Sequence, residues 1–198
     1  MVAIGLAIVF CVGIFAYTGW KLRGMRFDSK KLARIGMFTA MSLVLYMIKI
    51  VPFPQGGGCT LMSVLPVMIL GVLYGMEEAM VCAIVVGLTK IVIAPPYFPL
   101  QIPLDYLGGM IAIALTPIFG IHTRGRLVAG GIFATLLSAW FSILSGVIFF
   151  GQFAPEGMNV WVYSAIYNLS GFGVEAIMSI VALVLLASRS TRLKEVTE

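Results

Sequence analysis

The chain has 198 residues, 61% of them hydrophobic and 11% charged, with a net charge of +5. A water-soluble domain of this size carries roughly a quarter charged residues, so a water-facing surface is excluded and lipid must be the solvent. The positive residues cluster between apolar runs, which points to a membrane surface and away from a nucleic-acid partner. A spanning helix needs about 20 mostly apolar residues, and the chain offers seven such runs. The first is Met1 to Trp20, followed by the basic stretch KLRGMRFDSKKLAR over Lys21 to Arg34. A secretory signal has its charge before the apolar run, so this one reads as a retained span. The second span is predicted over Ile35 to Val51, closed by Pro52 and Pro54, with the loop FPQGGGC after it. The third runs from Thr60 to Tyr74, and the turn GMEE leads into a fourth over Ala79 to Ala94. The stretch PPYFPLQIP, Pro95 to Pro103, cannot form a regular helix, because each proline removes a backbone donor. The fifth span is expected over Leu104 to Ile121, the sixth over Leu127 to Phe150, and the seventh over Val160 to Leu186, before a polar tail. Lipid offers the backbone no hydrogen-bond partners, so these spans are helices.

Lysine and arginine set the orientation. Eleven of the thirteen fall in the first inter-span loop, the HTRGR loop and the tail, all on one side of a seven-span chain. The N-terminus is therefore expected outside and the C-terminus inside. Cys11, Cys59 and Cys82 have neither metal nor redox spacing and give no disulfide framework.

The residues that could carry chemistry are the ionisable groups within the spans. These are Lys49, Lys90, Asp105 and Glu175. Such groups are costly in lipid and tend to face the protein interior, pair or bind something. The lysines could equally snorkel to the outer headgroups. Asp105 could serve the positive end of a helix started by Pro103. Glu175 could form an internal ion pair with one of the lysines. The seventh span opens with Trp161, Tyr163 and Tyr167 and then Asn168. Tyr163 and Asn168 lie about 140° apart around a helix, so the outer loops must help to build any pocket. Small residues at a spacing of four, Gly36 with Ala40 and Gly71 with Gly75, permit close helix contact, either inside the bundle or with a partner subunit. Enzyme signatures fail: the one histidine, His122, lies in a cytoplasmic loop, so no buried histidine can serve a metal or act as a base. No catalytic residue, metal or cofactor is expected.

Three stretches carry a resemblance: FPQGGG, then LDYLGG after the proline-rich loop, then SGVIFFGQFAPEGMNVWVYSAIYN. In this order they resemble the substrate-binding S components of energy-coupling factor (ECF) transporters, in the thiamine-specific (ThiT) branch. The resemblance covers Leu32 to Leu186. It implies an all-α, six-helix S-component-like bundle at residues 32–187, preceded by one extra transmembrane helix with its basic linker at 1–31 and followed by a cytoplasmic tail at 188–198. It implies a plasma-membrane binding subunit of a prokaryotic importer with no enzymatic activity of its own. That subunit would take up thiamine or a thiamine-like vitamin or pyrimidine from outside. Its partners would be a transmembrane coupling subunit and two cytoplasmic ATPases.

Carried over position by position, the family's acidic–aromatic pair falls on Asp105 and Tyr106. Its glycine falls on Gly146, and its late tyrosine and asparagine on Tyr163 and Asn168. Its docking face falls on Gly36 and Ala40. Three positions depart from the family: Ser142 stands for a pocket histidine, Phe150 for a tryptophan, and Asp105 for the usual glutamate. Lys49, Lys90 and Glu175 would lie around this set, and Trp140 and Trp161 would report on it by fluorescence. These departures keep a related pyrimidine, or a ligand with an anionic group, in view. A stand-alone secondary carrier or channel lined by the four ionisable residues is the alternative.

Overall fold

The computed structural model describes residues 2–189. Among them are seven α-helices and one two-stranded antiparallel sheet. The helices are α1 (Val2–Leu22), α2 (Ser29–Met47), α3 (Leu65–Tyr74), α4 (Met76–Ile93), α5 (Gly109–Ile113), α6 (Arg124–Phe149) and α7 (Val160–Arg189); the strands are β1 (Lys49–Pro52) and β2 (Gly58–Thr60). The tail expected over 188–198 lies outside the described residues from 190 on. The all-helical membrane architecture is as expected, with α1 added before a six-pass body. By length and apolarity alone, four stretches could each cross a bilayer: Val2–Leu22, Pro99–Phe119, Arg124–Phe149 and Val160–Ala187. The passes α2 and α4 carry charged residues within their lengths, and α3 is an apolar helix of only 10 residues.

Local chemistry sets these boundaries. Asp28 caps α2 by accepting the Lys31 amide at 2.8 Å, so α2 starts inside the basic linker, six residues before the expected Ile35. That hydrogen bond also holds the Asp28 carboxyl below its ordinary range. At its other end α2 stops at Met47, and the chain turns into β1, which pairs with β2 through Val51 and Cys59. Lys49 therefore stands on a strand and not on a helix end as expected. Its amino group donates to the Gly56 carbonyl at 3.0 Å. The third pass begins at Leu65 rather than Thr60, because β2 takes residues up to Thr60. Gly75 has φ +104° and joins α3 to α4 in one residue, a conformation that glycine adopts without penalty.

The fifth pass departs most from expectation. A regular helix was expected over Leu104 to Ile121. The chain instead forms a 3₁₀ turn at Pro99–Gln101, a π-helical turn at Ile102–Gly108, the short α5, and a second 3₁₀ turn at Thr116–Phe119. Pro103 removes one amide from the ladder, and Gly109 donates to Leu104, five residues back. Two glycines let neighbouring elements press on this widened turn. A side chain at Gly87 of α4 would collide with the Tyr106 carbonyl, and one at Gly108 would stand 2.8 Å from the Phe141 ring. α1 packs on α6 and on the same turn, where the Cys11 thiol lies 3.8 Å from the Pro103 carbonyl and Phe10 meets the rings of Trp140 and Phe141.

One end of the bundle carries the basic linker. Lys21 pairs with Glu77 at 3.6 Å, and Arg34 grips Glu78 through two nitrogens at 2.6 and 3.0 Å. Glu78 is buried, and the Arg34 guanidinium also lies over the Tyr74 ring at 4.4 Å. The linker and the α3–α4 turn thus share one end, as alternating passes require, and the positive-inside rule makes it the cytoplasmic end. Removing one partner of a buried pair leaves an uncompensated charge. Arg34→Ala should therefore lower the thermal midpoint in detergent by several degrees, whereas Arg34→Ala with Glu78→Gln should recover part of the loss; differential scanning fluorimetry checks both.

Candidate functional site

A cavity of about 250 Å³ opens near the end opposite the basic linker, bounded by α2, the β-hairpin, α4, the π turn, α6 and α7. All ten residues singled out in the sequence around a binding site line it: Asp105, Tyr106, Ser142, Gly146, Phe150, Tyr163 and Asn168, with Lys49, Lys90 and Glu175. Gly36 and Ala40 do not. They lie exposed on α2, and a side chain at Gly36 would meet nothing. Gly71 is the contrasting case: a Cβ there would stand 3.3 Å from Ala79 and Pro117, so it serves an internal contact.

The π turn carries Asp105 and Tyr106 to the cavity wall. Asp105 accepts the Gln101 amide at 2.9 Å and the Ser145 hydroxyl at 2.6 Å on the same oxygen, Oδ2. The Ser142 side chain also reaches this carboxylate, which lines the cavity. The Tyr106 hydroxyl donates to the Ala94 carbonyl, which ties the turn to the end of α4. Ser138, Ser142 and Gly146 line the cavity from α6, with Ser145 buried beside them. At Gly146 the helices α6 and α7 meet so closely that a Cβ would overlap the Ser164 hydroxyl and lie 3.4 Å from the Asn168 amide nitrogen. Asn168 spends its donors on the Ser164 carbonyl at 2.9 Å and the Ser142 carbonyl at 3.3 Å, so what its side-chain amide has left to offer a ligand is the carbonyl oxygen.

Tyr163 and Asn168 both reach the cavity despite their wide angular separation. The wall of α7 is broad, running through Tyr163, Ser164, Tyr167, Asn168, Phe172 and Glu175. The hairpin closes over it. The Tyr167 hydroxyl donates to the Pro54 carbonyl, its ring meets Phe53 at 5.4 Å, and Gly57 and Gly171 leave no room for side chains between hairpin and helix. Phe150 joins Tyr97, Phe98 and Phe153 in an aromatic cluster near the mouth, with ring centroids 5.9–6.1 Å apart.

The lysines diverge. Lys49 is exposed on the hairpin. Lys90 is not a snorkelling lysine: its ammonium lies 4.3 Å from the Tyr46 ring centroid and 3.4 Å from the Met110 sulfur, and both of those residues line the cavity. Glu175 is 3% exposed and accepts the Ser63 hydroxyl at 2.7 Å. The expected Lys–Glu ion pair is absent among the described residues, where the ion pairs are Lys21–Glu77 and Arg34–Glu78. The tryptophans also fall elsewhere. Trp140 and Trp161 stack on each other at 6.1 Å beneath Phe10 and do not line the cavity, so they report on helix packing.

Several cavity residues escaped the sequence reading. Gln101 could have been found from its spacing of four to Asp105, and Ser138 from its spacing of four to Ser142. Tyr46 and Ser63 had no local signal, because their partners lie far along the chain.

This geometry sits in a recognisable sequence. Residues 32–195 match the family described as thiamine transporter protein (Thia_YuaJ). The chain belongs to that family. It is 29% identical to the thiamine transporter ThiT of Bacillus subtilis over 185 residues, covering 84% of this chain and 96% of that one. A shorter match, 42% identical over 48 residues and 24% of each chain, joins it to the thiamine transporter ThiT of Lacticaseibacillus paracasei. Among solved structures, ThiT from Listeria monocytogenes superposes with a TM-score of 0.71 at 18% identity, covering 83% of this chain and 96% of that one; this likeness concerns the fold. The chain is thus a multi-pass membrane protein of a transport family. The matched region begins at residue 32, so α1 stands outside it.

The α6–α7 contact gives a direct test of the cavity. Gly146→Ala inserts a methyl group where the Ser164 hydroxyl sits, and overpacking of this kind costs about 1–3 kcal/mol. The variant should fold, with ligand affinity about tenfold weaker or worse by titration calorimetry.

Proposed function

We propose that this protein captures thiamine, or a closely thiamine-like vitamin, on the outer side of a prokaryotic plasma membrane as the S component of an ECF-type importer. The observation that carries the reading is the anchored Asp105 carboxylate, which faces a cavity shared with Tyr106, Tyr163 and Asn168 in a chain of the thiamine transporter family. An aminopyrimidine presents donors and an acceptor along one edge. A carboxylate takes the donors, and an amide carbonyl or serine hydroxyl can address the remainder. Tyrosine and phenylalanine faces attract a cationic ring by roughly 0.5–2 kcal/mol each. Ser142 and Phe150, where the family has histidine and tryptophan, give a pocket with less stacking surface and more room. Residues 32–187 are the binding unit in this reading, and 1–31 an added helix with its linker.

Transport needs energy from elsewhere. The exposed Gly36–Ala40 stripe of α2 is a surface on which a membrane coupling subunit could approach closely, with two cytoplasmic ATPases behind it.

Purified protein should bind thiamine with a submicromolar Kd by titration calorimetry. Silence toward thiamine, hydroxymethylpyrimidine and other vitamins would refute the proposal. Ala40→Trp should leave that Kd within about twofold and abolish ATP-dependent uptake in cells, since one bulky ring fills the stripe without touching the cavity. Uptake that persists without ATPase partners would identify a self-contained carrier.

A further inference from the structure

We propose that the inner end of the cavity is a cation subsite in which Glu175 serves as counter-charge to the positive ring or ammonium of the ligand. This rests on the thiamine-type reading and adds a recognition element that the sequence resemblance does not assign.

The floor of the cavity is built to hold one carboxylate in place. The Ser42 hydroxyl of α2 donates to the Ser63 carbonyl at 2.5 Å, and the Ser63 hydroxyl donates to Glu175 Oε1 at 2.7 Å. All three residues are at least 97% buried. Three separate elements, α2, the turn before α3, and α7, thus converge on a single acid. Met62, immediately before Ser63, holds φ +54°, which is uncommon for a residue with a side chain and fixes the direction of the turn. A buried carboxylate can accept several hydrogen bonds and needs a compensating charge. Glu175 has one hydrogen bond and, among the described residues, no cation within 4 Å. Thr60, on the same wall, has a buried hydroxyl with no partner. The deep end therefore carries unmet polar demand that a ligand can meet.

The balance of charge gives the sign of that ligand. The cavity is lined by Asp105, Glu175, Lys90 and Lys49. Lys49 is exposed at the rim and engaged by the Gly56 carbonyl. The inner wall then holds two carboxylates against one ammonium; Lys90 rests on Tyr46 and Met110, within electrostatic reach of Glu175 but, among the described residues, not ion-paired to it. A ligand with one positive charge neutralises this wall, whereas a ligand with an added anion does not. Asn168 and Glu175 are seven residues apart on one face of α7, about 10 Å along the helix. That span matches a two-ring ligand lying along α7, its hydrogen-bonding ring at Asp105 and Asn168 and its cationic ring toward Glu175.

The test compares thiamine with 3-deazathiamine, a neutral isostere of the same shape, on the full chain in detergent. Wild type should bind thiamine at least about tenfold more tightly than the isostere, and Glu175→Gln should narrow this ratio to about twofold by weakening thiamine alone. Lys90→Gln, which removes a like charge, should hold or widen the ratio. Where Glu175→Gln is not recovered folded, Ser63→Ala, which frees the carboxylate but keeps its charge, should weaken thiamine about threefold and spare the isostere. An unchanged ratio in Glu175→Gln, or in Ser63→Ala where that variant stands in for it, or a ratio narrowed by Lys90→Gln, overturns the inference while the thiamine reading stands. Wild-type silence toward both compounds overturns the two together.

Discussion

Everything in this protein answers to the cost of placing charged groups in a medium without water. A carboxylate at membrane depth survives only if its oxygens are met by donors or by an opposite charge. The chain meets this demand in three different ways. Glu78 takes the guanidinium of Arg34 at the cytoplasmic end and is closed off. Asp105 takes a glutamine and two serines and still borders the cavity. Glu175 takes one serine. The gradient from a satisfied acid at the inner end to partly satisfied acids in the cavity separates the groups that hold the bundle together from those free to meet a solute.

The irregular backbone serves the same division. A π-helical turn in mid-membrane would be costly if it faced lipid, because its hydrogen-bond ladder is broken. Here it is clamped by α1, α4 and α6, with Gly87 and Gly108 removing the side chains that would hold neighbours away. The turn presents Asp105 and Tyr106 side by side to the cavity. The β-hairpin does the corresponding work at the mouth, strapped to α7 through Gly57, Gly171 and the Tyr167 hydroxyl.

Much of this was legible in the residues, for identifiable reasons. Apolar run length gave the passes, and the lysine–arginine pattern gave the cytoplasmic end, because both reflect transfer into lipid and little else. The ten residues around the cavity were legible partly from their cost in lipid and partly from family resemblance. The hairpin was not, since Lys49–Pro52 reads as the end of a helix until Pro52 and the glycines are weighed as a turn. The fifth pass looked like an ordinary span, because a π turn leaves no mark in hydropathy. Lys90 was left between the headgroups and the site, and its inward course depends on Tyr46 and Met110, which are distant in sequence. The Ser42–Ser63–Glu175 chain joins three elements over more than a hundred residues and has no local period to betray it.

The seat of α1 carries a consequence for assembly. It lies on α6 and against the back of the π turn, and the small-residue stripe of α2 stays bare. The bulk added ahead of the matched region therefore leaves the α2 flank as open to a neighbour in the bilayer as it would be without that helix.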